Sequence, residues 1–350
     1  MQPLGYCKQL GIGSLPEIDA NKAWLGILYN FPDIPFWPQL PKRSYLENMY
    51  LQFSELIPGR VIDQKKQRFF IDKAQNLQQE MEEFYNAYLS NEIEVFKVSR
   101  EYCEGIYSGL ELYEQNPGLF EGAEFIKGQI TGPISFGLQV IDNADKPILY
   151  DEMLHDILVK NLQRKAQWQE QVLSKINENV IISVDEPYLS SVGSGFLNLN
   201  RQQVIDDLET VFQPLKCIKA THCCGNTDWS LLMETSADLL LFDAFNYSKN
   251  FVLFASAIKS FLARGGLIGW GIVPTTSSEL HKVNQKDLIK HLEDGISKLA
   301  DKGLDRELVS HQSLITPACG MGNLSVKQAE KVMTLTKAIS DHMRVKYSLE

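Results

Sequence analysis

The chain contains little cysteine: six residues in 350, far fewer than a disulfide-stabilised secreted scaffold carries. It also lacks any run of about 18 apolar residues, so the sequence predicts no transmembrane helix and no membrane partner. Its first residues do not pair a charged segment with an apolar run, so we expect no signal peptide. These absences together predict a cytoplasmic protein whose cysteines are reduced and available as ligands or reactive groups.

Positive charge is scarce as well. Lys and Arg total 34 against 44 Asp and Glu, which gives a net charge of −10. A chain with this balance has no positive field to attract phosphates, so we expect no nucleic-acid partner. The 44% of hydrophobic and 22% of charged residues are typical of a globular protein. Since no low-complexity linker or repeat interrupts the sequence, we predict one domain over residues 1–350.

Short apolar runs alternate with amphipathic segments of helix length along the chain. Apolar runs of this kind are typical of parallel strands buried on both faces. Eight β–α alternations predict an α/β protein with a (β/α)8 TIM barrel, and a doubly wound open sheet is the alternative. The predicted strands are residues 8–14, 33–38, 124–131, 179–185, 216–222, 238–243, 266–272 and 313–318.

Two further segments complete the predicted architecture. Residues 45–123 are too long for one βα unit, and their many helix formers predict a helical insertion between strands 2 and 3, over the barrel mouth. Residues 325–346 open with a serine followed three positions later by glutamine, which predicts a capped carboxy-terminal helix.

The carboxyl ends of the predicted strands carry most of the chemistry-bearing side chains. In a TIM barrel these ends form the active-site face. The residues found there are Ser14, Gln39, Thr131, Asp185, Glu186, His222, Cys224, Asp243, Ile272 and Cys319. Such a concentration of polar and metal-binding groups on one rim favours an enzyme.

The strongest local feature is His222-Cys223-Cys224. Imidazole and thiolate are donors that suit Zn²⁺, although two ligands alone do not make a site and a buried cysteine often acts as a small hydrophobe. Asp243 and Cys319 end two later strands and would bring the number of ligand-type residues to four. The alternative for Asp243 is a helix cap, and for Cys319 a buried thiol in a glycine turn.

The order and spacing of several short motifs resemble a known superfamily. The motifs are residues 12–16 (IGSLP), 131–133 (TGP), 185–187 (DEP), 222–224 (HCC), 237–243 (ADLLLFD) and 319–320 (CG). Together they resemble the superfamily that joins uroporphyrinogen decarboxylase to cobalamin-independent methionine synthase and the corrinoid-dependent zinc methyltransferases. Residues 222–227 (HCCGNT) are most similar to the corrinoid-dependent branch.

The resemblance implies a role for each matching residue. It implies zinc bound by His222, Cys224 and Cys319, with Asp243 where the methionine synthases have a glutamate ligand. It also implies that Ser14 and Asp185 hold the substrate, and Glu186 of the same motif is grouped with them as substrate-binding. The implied substrate is a small thiol such as homocysteine or coenzyme M.

Two departures from the superfamily concern the substrates. Ile272 lies where the methionine synthases have a histidine that protonates the folate leaving group, and Leu51 lies near the place of a glutamate that contacts the substrate amine. A corrinoid leaves as Co(I) and needs no proton, so we expect zinc-dependent methyl transfer from a methylated corrinoid protein to a small thiol. The alternatives are methionine synthesis from methyl-tetrahydrofolate, a uroporphyrinogen decarboxylase-like activity, and a non-catalytic zinc- or corrinoid-binding accessory protein.

Overall fold

The computed structural model describes residues 4–74, 77–191 and 199–349. Over these ranges the chain alternates strands and helices. The strands are β1 (Lys8–Gln9), β2 (Arg60–Asp63), β3 (Arg68–Ile71), β4 (Ile126–Thr131), β5 (Val180–Asp185), β6 (Ile218–Cys223), β7 (Leu239–Phe242), β8 (Leu267–Val273) and β9 (Ser313–Pro317).

The helices lie mainly after the strands, as expected for βα units. They are α1 (Ala20–Asn30), α2 (Gln78–Ser90), α3 (Glu104–Gln115), α4 (Pro133–Gln139), α5 (Glu152–Leu173), α6 (Arg201–Phe212), α7 (Trp229–Glu234), α8 (Ala244–Phe251), α9 (Ala255–Ala263), α10 (Ser277–Leu280), α11 (Gln285–Asp301), α12 (Arg306–His311) and α13 (Val326–Tyr347). The prediction of a capped final helix is confirmed, since Ser325 and Gln328 form a capping box on α13. Within the described ranges, none of these helices combines the length and hydropathy needed to cross a bilayer.

Seven strands form one parallel sheet in the order β1-β9-β8-β7-β6-β5-β4. The predicted strand at 33–38 is not a regular strand; it makes only isolated bridges. Its backbone nevertheless bonds to both edges of the sheet. Trp37 N–H donates to the Lys127 carbonyl at 2.9 Å, and Gln39 N–H donates to the Gly13 carbonyl at 3.1 Å. Two prolines, Pro35 and Pro38, interrupt this segment and remove the N–H groups that a ladder needs.

The segment 45–123 differs from the predicted helical insertion. It contains α2 and α3, but it also contains the antiparallel pair β2–β3, joined by a turn at 64–67. The sequences RVID and RFFI are rich in β-branched and aromatic residues, which favour strands when two such runs flank a polar turn. The insertion is therefore mixed rather than wholly helical.

Side chains alternate between two buried clusters along the strands. Ala220 belongs to a small cluster built mostly from the strands, whereas Cys223 belongs to the large cluster that packs the sheet against the helices. Because successive strand residues point to opposite faces, Ala220, His222 and Cys224 share the face of the small cluster. The polar residues at the strand ends therefore lie on the same face of the sheet as the apolar residues of the small cluster, such as Ile181 and Leu314.

Candidate metal centre and substrate cavity

Three of the predicted ligands meet at the carboxyl end of the sheet. His222 lies in β6, Cys224 follows that strand directly, and Cys319 follows β9. One ligand atom from each residue lies within 4.8 Å of the other two. Among the described residues, this group of three has the donor types and the spacing that could hold a metal ion.

The surroundings of the His222 ring provide independent support for a metal site. The side chain is buried, and neither Nδ1 nor Nε2 has a hydrogen-bond partner. A buried polar nitrogen without a partner costs about 1–3 kcal/mol. Since a metal–nitrogen bond would remove this cost, the imidazole fits a metal ligand better than a core residue. Two sulfur donors and one imidazole are a ligand set that zinc prefers.

The two ligand thiols influence each other strongly. The Cys319 thiol, followed by the His222 imidazole, holds the pKa of Cys224 well below its usual value. The pKa of Cys319 is raised for the complementary reason, because Cys224 lies against it and because it is buried. The pair therefore favours one negative charge shared between the two sulfur atoms, beside the imidazole.

Asp243 lies close to the group but has other partners. It precedes α8, where Oδ1 accepts from the Asn246 backbone N–H at 2.9 Å and Oδ2 accepts from the Asn246 side chain at 2.8 Å. Burial raises the pKa of Asp243 to about 6. The helix-cap role is therefore occupied, and ligation of the metal by Asp243 stays a prediction.

A cavity of about 300 Å³ opens beside the group of His222, Cys224 and Cys319. Ligand cavities run from about 300 to 1,000 Å³, so this one suits a small molecule. Its lining consists of Ile12, Ser14, Gln39, Pro41, Glu47, Asn48, Met49, Thr131, Asp185, Pro187, His222, Cys224, Cys319, Gly320, Gly322 and Asn323. The structure thus brings Ser14 and Asp185 together with all three of the strongest ligand candidates.

Ser14 is held by a close approach of the loop that follows Cys319. Its Oγ accepts from the Gly322 N–H at 3.3 Å, and its carbonyl accepts from the Met321 N–H at 2.8 Å. A Cβ atom on Gly320 would lie 2.1 Å from the Ser14 Oγ, so a side chain at this position would displace the serine. With Oγ used as an acceptor, the Ser14 proton remains available to donate into the cavity.

Asp185 ends β5 and lies opposite His222 in the sheet register. Its Oδ1 accepts from the Ser183 hydroxyl at 2.6 Å. Burial raises the pKa of Asp185, while the buried Lys127 ammonium and the His222 ring act in the opposite direction. Lys127 itself is fixed by donating to the Ile12 carbonyl at 2.6 Å. The structure therefore places the Asp185 carboxylate at the cavity beside a buried cation.

Glu186, predicted to bind substrate, turns away from this cavity. It is fully buried, and its carboxylate accepts from the Ile134 N–H at 2.9 Å, from the Ser135 N–H at 2.7 Å and from the Ser135 hydroxyl at 2.6 Å. These groups belong to the first turn of α4, whose free N–H groups need acceptors. Glu186 is not among the described residues that line the cavity; its substrate-binding role has no contact to support it.

Replacing Glu186 with alanine should destabilise the fold by about 3 kcal/mol, because buried donors at the start of α4 would lose their acceptor. Denaturant unfolding of the variant and the parent protein measures this difference. Glu178→Ala is the matched control, since Glu178 is exposed and surface changes usually stay within about 0.5 kcal/mol. Equal stability of the two variants would refute the capping role of Glu186.

Glu47 and Gln39 are polar cavity residues to which the sequence assigned no role. Glu47 is buried, and its carboxylate accepts from the Leu40 N–H at 3.0 Å and from Arg43 Nε at 2.5 Å. Burial raises its pKa to about 7. For Gln39, the sequence predicted only a position at the carboxyl end of a strand. No spacing rule connects either residue to the strand-end motifs, because both reach the cavity through an irregular segment.

The two departures noted in the sequence lie away from the cavity. Ile272 is fully buried in the large cluster between the sheet and the helices. Leu51 is also buried in that cluster, in a short 3₁₀ turn. Neither residue is among the described residues of the cavity lining. The Ile272 side chain therefore packs in the core and does not reach the cavity.

Comparison with known proteins adds information about the fold. Neither a protein-family model nor a curated protein sequence matches the chain. A B12-independent methionine synthase from Shewanella sp. W3-18-1 is similar in structure, with a TM-score of 0.50, 19% identity, and coverage of 69% of this chain and 67% of that one. A methyltransferase from Methanosarcina mazei is also similar, with a TM-score of 0.50 at 11% identity; the match covers 96% of this chain and 93% of that one.

A third similar structure comes from Listeria monocytogenes and is assigned as a vitamin-B12 independent methionine synthase. Its TM-score is 0.53 at 11% identity, with coverage of 97% of this chain and 98% of that one. At these identities the likeness concerns the fold. The chain therefore shares an α/β fold, built on a curled parallel sheet, with methionine synthase-like and methyltransferase proteins.

Proposed function

We propose that this protein is a zinc-dependent methyltransferase that moves a methyl group from a methylated corrinoid protein to a small thiol. The observation that carries the proposal is the group of His222, Cys224 and Cys319 at the wall of a small cavity, with both nitrogens of the histidine unpartnered. The similar folds of methionine synthase and methyltransferase proteins agree with it.

His222, Cys224 and Cys319 would hold the zinc, and Asp243 is the candidate for a further ligand. Bound zinc would supply one chemical effect, the deprotonation of a coordinating substrate thiol to a nucleophilic thiolate. His222 is buried and the two cysteines are partly buried, and all three line the cavity, so the substrate sulfur would reach the metal from the cavity.

The other cavity residues would fix the substrate for attack. The Ser14 hydroxyl is free to donate to an anionic or carbonyl group of the substrate, and the Asp185 carboxylate is placed to accept from a cationic group. Holding both ends of a small molecule matters, because a displacement of about 1 Å can cost on the order of 100-fold in rate. A corrin ring is far larger than the cavity, so the methyl donor would dock at its open side.

The donor assignment rests on the side chains around the cavity. Apart from His222, the described lining contains neither histidine nor lysine nor arginine. Glu47 is acidic, but both of its oxygens already accept hydrogen bonds from Leu40 and Arg43. Since a folate amine must be protonated in order to leave whereas Co(I) leaves without a proton, this lining favours a corrinoid donor.

We propose in addition that the segment 33–39 completes a (β/α)8 barrel. Its hydrogen bonds to Lys127 of β4 and to Gly13 after β1 support closure between the two edges of the sheet. A cytoplasmic location also follows from the proposal, because Cys224 and Cys319 must stay reduced to act as ligands.

Removal of the metal tests the proposed function directly. We expect the zinc-loaded protein to demethylate methylcobalamin in the presence of homocysteine or coenzyme M, as followed by the visible spectrum of the corrinoid. Dialysis against a chelator should abolish this turnover, and re-addition of Zn²⁺ should restore it. Turnover that survives complete chelation would contradict a zinc-dependent mechanism, and inactivity of the zinc-loaded protein with every thiol and donor would favour an accessory protein.

A further inference from the structure

A chain of buried amides connects the cavity to the polypeptide segment behind it. Gln39 Nε2 donates to Gln52 Oε1 at 2.7 Å, and Gln52 Nε2 donates to the Tyr102 backbone carbonyl at 2.5 Å. Gln52 is fully buried, and Gln39 is buried except where it lines the cavity. Gln39, which precedes the insertion, is therefore connected by hydrogen bonds to two separate parts of the insertion.

The end of this row determines the direction of every bond in it. A backbone carbonyl can only accept, so the Gln52 atom that faces Tyr102 must be its NH₂ group. The oxygen of Gln52 then faces Gln39, and Gln39 must donate to it from its own NH₂ group. As a result, the side-chain oxygen of Gln39 is directed away from Gln52. It lies beside Gly13, 2.9 Å from the position that a Cβ atom on Gly13 would take.

Two acceptors of the cavity lining bear on the choice of substrate. One is the Gln39 oxygen, which has no hydrogen-bond partner among the described residues, and the other is Asp185, whose Oδ1 accepts only from Ser183. Glu47 is less suited to bind an amine than Asp185, because both of its oxygens already accept hydrogen bonds, from Leu40 and Arg43. A substrate group that satisfies a carboxylate and an amide oxygen must carry several N–H donors, as a protonated amine does.

We propose that Gln39 determines substrate specificity by accepting a hydrogen bond from the protonated amine of the thiol substrate, with Gln52 and the Tyr102 carbonyl fixing its orientation. This inference rests on the proposed function, since it assigns the chemical class of the thiol. A site built to accept from an amine rejects the analogue that lacks it, because the buried acceptor is then left unpaired.

The test compares two thiols that differ only in the amine, homocysteine and 4-mercaptobutyrate. Their binding to the zinc-loaded protein is measured by calorimetry, so turnover is not needed. We expect wild type to prefer homocysteine and Gln39→Met to reduce that preference about tenfold, with the affinity for 4-mercaptobutyrate nearly unchanged. Methionine has a similar volume and cannot accept from the amine as an amide oxygen does.

The Gln52→Met variant separates orientation from direct contact. Introduced alone, it should reduce the preference for homocysteine several-fold, because Gln39 would be free to turn. Combined with Gln39→Met, it should cause no further reduction of that preference. Gln163→Met is the matched control: Gln163 is buried in α5, bonds to the Thr210 carbonyl and Tyr88, and is not one of the cavity residues. Zinc content and thermal unfolding of each variant are measured alongside.

Two results would overturn the inference while leaving methyl transfer to a thiol standing. These are equal binding of both thiols by wild type, and an equal loss of affinity for both thiols in Gln39→Met. A zinc-loaded wild-type protein that binds neither thiol would instead overturn the inference together with the proposed function.

Discussion

Replacing Cys319 with alanine is expected to remove zinc from the purified protein. Wild type should contain about one zinc per chain, as a site with one set of protein ligands does. The variant should bind zinc at least 100-fold more weakly, because loss of even an indirect partner of a zinc ligand typically costs about 10–100-fold. Elemental analysis after gel filtration, followed by competition with a chromogenic chelator, measures both quantities.

Cys223→Ala provides a matched control in the same motif. Cys223 is buried next to Cys224, but it points to the opposite face of β6, into the large cluster, and its Sγ lies 3.6 Å from the Gly225 carbonyl. We expect this variant to lose some stability and to keep its zinc. Equal zinc in wild type and Cys319→Ala, or loss of zinc in Cys223→Ala alone, would contradict the ligand assignment.

Methylcobalamin is expected to donate its methyl group to the thiol, and methyl-tetrahydrofolate is not. General acid catalysis is typically worth about 10²–10⁴-fold, so its absence should separate the two donors by a similar factor. Among the described residues that line the cavity, Glu47 has a pKa raised by burial to about 7, and Arg43 and the Leu40 N–H already hold its carboxylate. Parallel assays with each donor and a common thiol measure the ratio.

The Cys319→Ala variant serves as the background in this comparison, since it keeps the cavity but should lack the metal. Rapid turnover with methyl-tetrahydrofolate alone would show that an acid does reach the leaving group. In that case Glu47→Gln identifies the source, because a fall in the folate rate would assign the proton to Glu47.

Much of the candidate metal centre could be predicted from local patterns. Alternation along β6 places His222 and Cys224 on one face and Cys223 on the other, and this follows from strand geometry alone. Seven of the eight predicted strands occur in the sheet, because buried parallel strands have a strong apolar signature. The exception, residues 33–38, contains two prolines, whose missing N–H groups leave only isolated bridges.

The roles of other residues depended on contacts with distant parts of the chain, which no local sequence pattern reveals. Glu186 follows Asp185 in the sequence, yet the first turn of α4 supplies three donors to its carboxylate and turns it from the cavity. Asp243 is likewise engaged by Asn246. Ile272 lies near the end of β8, but its side chain packs among the helices.

The sequence by itself therefore determined the α/β character, most strands, the final helix and the residue types at the strand ends. It did so because hydrophobic period and capping are properties of neighbouring residues. Only the tertiary structure decided that Cys319 meets His222 and Cys224, that β2 and β3 interrupt the insertion, and that Tyr102 orients Gln39 through Gln52. These contacts join distant segments, and their partners are chosen by packing and by the need of every buried polar group for a hydrogen bond.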